Sequence, residues 1–90
     1  MDRKACLKVY GHVQGVFYRN SARNKALELG VNGFVENLTD GGVYIEAEGP
    51  EESLKAFIEW CHHGPETAQV DRVEVEYREK KGFNSFQIRY

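Results

Sequence analysis

Arg19 is the residue of this 90-residue chain best placed to do chemistry, because of what leads up to it. The stretch Gly11-His12-Val13-Gln14-Gly15-Val16-Phe17-Tyr18-Arg19 runs an extended apolar segment into a glycine-punctuated turn and delivers the arginine to the first turn of a helix. Such a turn aims several backbone N–H groups at one point, and a helix N-terminus adds a partial positive charge there. The guanidinium supplies a permanently charged planar fork that holds two oxygens of a phosphate or carboxylate at once. The chemistry indicated is that of an anion, phosphate first. Asn37, an uncharged donor and acceptor, stands at the end of the apolar segment Gly33-Phe34-Val35-Glu36-Asn37, which can lie beside that turn. Taken alone, Gly11 and Gly15 have a plainer reading as a tight strand-to-helix connection.

The other reactive side chains read as structural. His62 and His63 fall at the C-terminal end of a helix, where a cation meets the negative end of the dipole, and His12 reads as a surface residue beside the turn. Cys6 and Cys61 lack the paired spacing of metal or redox motifs and read as buried thiols, with a disulfide the alternative outside a reducing compartment. No metal site is expected.

The elements that must position Arg19 and Asn37 follow from hydrophobic periodicity. Residues 4–10 alternate, with Ala5, Leu7 and Val9 on one face, and predict a strand. A helix from about Phe17 to Leu29 follows, its apolar stripe formed by Ala22, Ala26 and Leu29, with Gly30 as its stop. Residues 33–37 and 43–48 pair as an antiparallel hairpin around Asp40-Gly41. In the second strand, Val43, Ile45 and Ala47 share one face, and Tyr44, Glu46 and Glu48 the other. Gly49-Pro50-Glu51-Glu52 starts a second helix with the stripe Leu54, Phe57, Ile58 and Cys61, ended by Gly64-Pro65. Strands over 70–77 and 86–90 complete the chain, joined by a polar loop, 78–84. The fold class predicted is α+β: a ferredoxin-like βαββαβ sandwich, with an antiparallel sheet, two helices on one face and a short extra C-terminal strand on an edge.

Length and charge narrow the function classes. Ninety residues make one domain, 1–90, so a site has to be built from the loops of one fold. The net charge of −2 and pI near 5.9 argue against a nucleic-acid module. Tyr10 and Tyr44 would face outward together, but Glu46 and Glu48 share that face, which disfavours RNA stacking. From Arg3 to Lys25 the chain carries six basic residues and no acidic one, against thirteen acidic and six basic from Glu28 onward, so the glycine turn lies in the positive part. No apolar run approaches the ~20 residues that span a bilayer, and the charged start has no signal-peptide core after it, which predicts a cytoplasmic protein.

Both motifs, taken with the element order, resemble the acylphosphatase family over Lys4 to Tyr90. Its first pattern is matched at Gly11, Val13, Gln14, Gly15, Val16, Tyr18 and Arg19, and its second at Gly33, Phe34, Val35, Asn37, Gly41, Val43 and Gly49. Glu36 departs, standing where the family more often has lysine or arginine. Its side chain is expected on the strand face opposite Asn37. The resemblance implies hydrolysis of acyl phosphates to a carboxylate and phosphate, with no cofactor and no metal. It implies that Arg19 binds the phosphoryl group and that the loop Gln14, Gly15, Val16, Phe17, Tyr18 and Arg19 surrounds it. Gln14 and Tyr18 shape that loop, and Asn37 orients the attacking water. The expected form is a monomer whose partner is a small acyl phosphate, with neither nucleic acid nor membrane. The alternative is a non-catalytic module that binds a small anion in the same pocket.

Overall fold

The computed structural model describes residues 2–90. Along the chain run β1 (Asp2–His12), α1 (Tyr18–Leu29), β2 (Asn32–Asn37), β3 (Val43–Pro50), α2 (Glu51–Cys61), β4 (Gln69–Arg78) and β5 (Phe86–Arg89). The strands form one sheet in the order β4-β1-β3-β2-β5.

Alternation in β1 and β3 decides which face is covered. In antiparallel register Ala5 lies opposite Ala47, Leu7 opposite Ile45 and Val9 opposite Val43, all fully buried. The helices close over this face with Tyr18, Ala22 and Ala26 of α1 and Leu54, Phe57 and Cys61 of α2. The alanines at helical spacing let α1 approach the sheet closely. Glu51 and Glu52 occupy the first turn of α2, beside its positive end, as the sequence predicts. The other face of the sheet is charged: Lys4 reaches Glu46 at 2.7 Å, and the Tyr44 hydroxyl donates to Glu46 Oε2 at 2.7 Å. Cys6 lies on this uncovered face and is half-buried, not buried as predicted; Cys61 is buried, and both are free thiols. Burial pushes the Cys61 thiol up to about 12.

The sequence predicts an antiparallel sheet, and one pairing differs. Strand β5 does extend an edge, but it runs parallel to β2, with Gly33 opposite Phe86 and Glu36 opposite Arg89, so the sheet is mixed. The cause is topological. Strand β4 occupies the opposite edge, so residues 79–85 must cross the breadth of the sheet before β5 begins.

Glu48 anchors that crossing. Only 3% exposed, its carboxylate accepts from the N–H of Gly82 at 2.9 Å, of Phe83 at 3.0 Å and of Lys81. Asn32 Nδ2 donates to the Phe83 carbonyl at 3.1 Å, and the Phe83 ring meets Phe34 edge-on. Burial pushes the Glu48 carboxyl up, but the N–H bonds and the nearby Lys4 charge outweigh it and hold the group below its ordinary 4.5. A depressed folded value means stabilisation that is complete above the unfolded value and lost as pH falls through the folded one. We therefore predict that Glu48→Gln costs about 1–3 kcal/mol near pH 7. In urea titrations the gap to wild type should close below about pH 4. A gap unchanged to about pH 3 would mean that packing, not the charge, holds the crossing.

Candidate active site

The loop between β1 and α1 is shaped by backbone conformations that few residues adopt. A bulge between Tyr10 and Gly11 turns β1 beside β4, and a Cβ on Gly11 would lie 2.2 Å from the Gln69 carbonyl oxygen, so the backbones can approach only at glycine. Gly15 follows with φ 74°, then Phe17 with φ 65° and ψ 21°, both left-handed. Left-handed residues within a turn gather successive N–H groups into a concavity that suits an anion. Phe17 therefore precedes the helix instead of opening it, a correction to the expected start; α1 begins at Tyr18, and its first internal bond is Ser21 N–H to the Phe17 carbonyl at 3.1 Å.

The start of α1 is electrostatically open. Its N–H groups ahead of Ser21 have no acceptor within the helix, no side chain caps it, and no acidic residue lies in its first turn. The positive end of the dipole is left uncompensated at the loop.

Three side chains fix the loop from outside. Gln14 Nε2 donates to the carbonyls of Leu38 and Gly42, each at 2.7 Å, and so ties the loop to the β2–β3 hairpin that carries Asn37. Thr67 donates from its hydroxyl to the Val16 carbonyl. The Tyr18 hydroxyl, buried, donates to the Cys61 carbonyl at the end of α2 at 2.7 Å, and its ring packs against Trp60. Burial raises the Tyr18 phenol well above its ordinary value, so it stays protonated as a donor. Its side chain faces the core. Gln14 thus ties the loop to the hairpin, and Tyr18 ties it to the end of α2.

A cleft of about 250 Å³ opens at this point, lined by Val13, Gly15, Phe17, Tyr18, Arg19, Asn20, Asn37 and Tyr90. Arg19 and Asn37, 18 positions apart in sequence, meet here. Arg19 Nη1 donates to the Arg89 carbonyl at 3.1 Å, and its guanidinium lies 4.8 Å from the centre of the Tyr90 ring. Asn37 Oδ1 is buried and has no hydrogen-bond partner among the described residues. A buried acceptor left unpaired is costly, and its persistence beside a guanidinium suits an acceptor kept for a ligand or water.

The remaining candidates fall elsewhere. His12 is exposed and does not line the cleft. His62 and His63 bond to Ile58 and Glu59 at the end of α2. Glu36 points to the uncovered face, opposite Asn37 as expected, where its carboxylate stands 3.9 Å from Arg89. Arg89 and Tyr90 were not foreseen as neighbours of Arg19; no local signal links positions some 70 apart. A larger hollow of about 450 Å³ lies on the uncovered face between Cys6, Lys8, Tyr44, Glu74 and Arg78. Arg78 there is paired with Glu76 at 2.8 Å and the charges balance, so it lacks the open positive pole of the loop. Among the described residues no three His, Cys, Asp or Glu side chains converge, and no helix is long and apolar enough to cross a membrane.

Comparison with known proteins agrees with this geometry. The acylphosphatase family model matches residues 5–88. An acylphosphatase of Haloarcula marismortui is 46% identical over 87 residues, covering 97% of this chain and 96% of its own. Among solved structures, an acylphosphatase from Coxiella burnetii superposes with a TM-score of 0.94 at 38% identity, over 98% of this chain and 93% of that one. One from Bacillus subtilis does so with a TM-score of 0.94 at 35% identity over the whole of both.

Proposed function

The chain belongs to the acylphosphatase family and is a hydrolase of the carboxyl–phosphate bond, and from this premise we propose that Arg19, the loop N–H groups and Asn37 carry the reaction. The observation behind this reading is the buried Asn37 Oδ1, unpaired among the described residues, in one cleft with the guanidinium of Arg19.

The substrate, R–CO–O–PO₃²⁻, enters phosphoryl end first. Arg19 holds two of its oxygens, while N–H groups from about Gly15 to Arg19 and the positive end of α1 meet the rest. A water donates one hydrogen bond to Asn37 Oδ1, which directs its lone pair at phosphorus. The P–O bond to the acyl oxygen breaks as the water's oxygen bonds to phosphorus. The leaving carboxylate has a conjugate acid of pKa about 4–5, so it departs without a general acid. An amide cannot accept the water's proton, which ends on a phosphoryl oxygen and gives carboxylate and inorganic phosphate. Charge spread over the equatorial oxygens of a loose transition state is what a preorganised ring of donors stabilises.

One domain, 1–90, acting as a monomer on a small acyl phosphate, is the form we propose, with Arg19 and Asn37 both lining one cleft of the single fold. The two free thiols, which lack paired spacing, support a cytoplasmic location. The test is turnover of benzoyl phosphate in excess EDTA. Full activity is expected, with inorganic phosphate as a weak competitive inhibitor. Activity lost in EDTA and restored by Mg²⁺, or noncompetitive inhibition by phosphate, would overturn this assignment of roles. Absence of turnover with tight phosphate binding would favour a non-catalytic anion module instead.

A further inference from the structure

Phe17 is the anomaly of the loop. A bulky side chain at φ 65° is strained, and the usual occupant of such a position is glycine or asparagine. Strain at a large apolar residue is normally repaid by burial, yet this ring is 70% exposed. Among the described residues it enters none of the aromatic pairs and carries no cation, whereas the Tyr90 ring beside the same cleft has the Arg19 guanidinium 4.8 Å from its centre. The fold therefore gains little from the ring in the free protein. Persistent local strain at a site wall points to a role in the bound state.

Position supplies the role. Phe17 lies between Gly15 and Arg19 on the wall of the cleft. With the phosphoryl group drawn to Arg19 and the loop N–H groups, the acyl group must leave past the cleft's outer wall. An exposed apolar ring there meets the acyl group, and no charged side chain besides Arg19 lines the cleft to favour a polar one.

We propose that the Phe17 side chain is the acyl-side specificity wall, selecting aromatic and extended apolar acyl phosphates over acetyl phosphate. The inference rests on the assignment of the phosphoryl end to Arg19 and the loop. Stacking and apolar burial reward a ring and give nothing to a methyl group of the size of acetyl.

The test reads a ratio, because a loop disturbed in shape would slow both substrates alike. Steady-state kcat/KM is measured for benzoyl and acetyl phosphate with wild type, Phe17→Asn and Phe17→Tyr. Asparagine tolerates the left-handed backbone and removes the ring, whereas tyrosine keeps it. The benzoyl-to-acetyl ratio should fall about 5- to 10-fold in Phe17→Asn, carried mainly by KM for benzoyl phosphate, and stay within about twofold in Phe17→Tyr. A ratio unchanged in Phe17→Asn, whether activity holds or both substrates decline together, overturns the proposal while the roles of Arg19 and Asn37 stand. If wild type turns over neither substrate, the parent assignment fails first.

Discussion

Arg19→Ala should lower kcat for benzoyl phosphate by at least about 10²-fold, the scale on which removing one preorganised donor slows acyl transfer elsewhere. The loss is expected to be large because, among the described residues, Arg19 is the only charged side chain lining the cleft, and it arrives already bonded to the Arg89 carbonyl. The Arg89 carbonyl at 3.1 Å takes one N–H, so the remaining N–H groups are available to the phosphoryl oxygens. Arg19→Lys should recover less than about tenfold of the lost rate, because an ammonium restores charge but neither fork nor stacking plane. Circular dichroism should be unchanged, since the side chain is no part of the core. A kcat within tenfold of wild type in Arg19→Ala, with the fold intact, would remove this residue from the chemistry.

The second large effect is expected at Asn37, with an unusual accompaniment. Asn37→Ala should lower kcat by at least about 10²-fold with KM little changed, because a water positioned only for the transition state contributes little to ground-state binding. Stability should not fall with it. Among the described residues Asn37 Oδ1 is a buried acceptor without a partner, and deleting such an atom relieves a desolvation penalty instead of breaking a bond. Activity lost at an undiminished melting temperature would mark a residue kept for function at the expense of the fold. A normal kcat would take water positioning away from Asn37, and a lowered melting temperature would show that its carbonyl has a structural partner after all.

Much of this arrangement is legible in the sequence where the cause is local. The alternation of Ala5, Leu7 and Val9, the stripe Leu54, Phe57 and Cys61, and the hairpin over 38–42 all appear where periodicity and turn residues put them. Arg19 and Asn37 are legible through the two motifs, and Gln14 proves to be the tie between them. What escapes is what distance in the chain conceals. The parallel course of β5 depends on which edge β4 takes, and the approach of Arg89 and Tyr90 to Arg19 depends on that course in turn. The anchoring role of Glu48 is equally non-local: in sequence it is one more acid on an outward strand face, and only the crossing of residues 79–85 buries it. Phe17 escapes for another reason, since helical spacing cannot distinguish the first residue of a helix from a left-handed residue just before it.

The orientation of the arginine hangs from a short edge strand. β5 has four residues and pairs on one side only, yet its last residue, Arg89, gives the carbonyl that holds the guanidinium. Edge segments of this kind open by sub-global fluctuations far below the free energy of complete unfolding, and their amides exchange with solvent hydrogen accordingly. An opening of β5 would release Arg19 and also withdraw Phe86 from its packing on Phe57 of α2. Because Phe86 of β5 is buried against Phe57, the temperature at which turnover fades should report the parallel pairing of β5 and its anchorage in the core together.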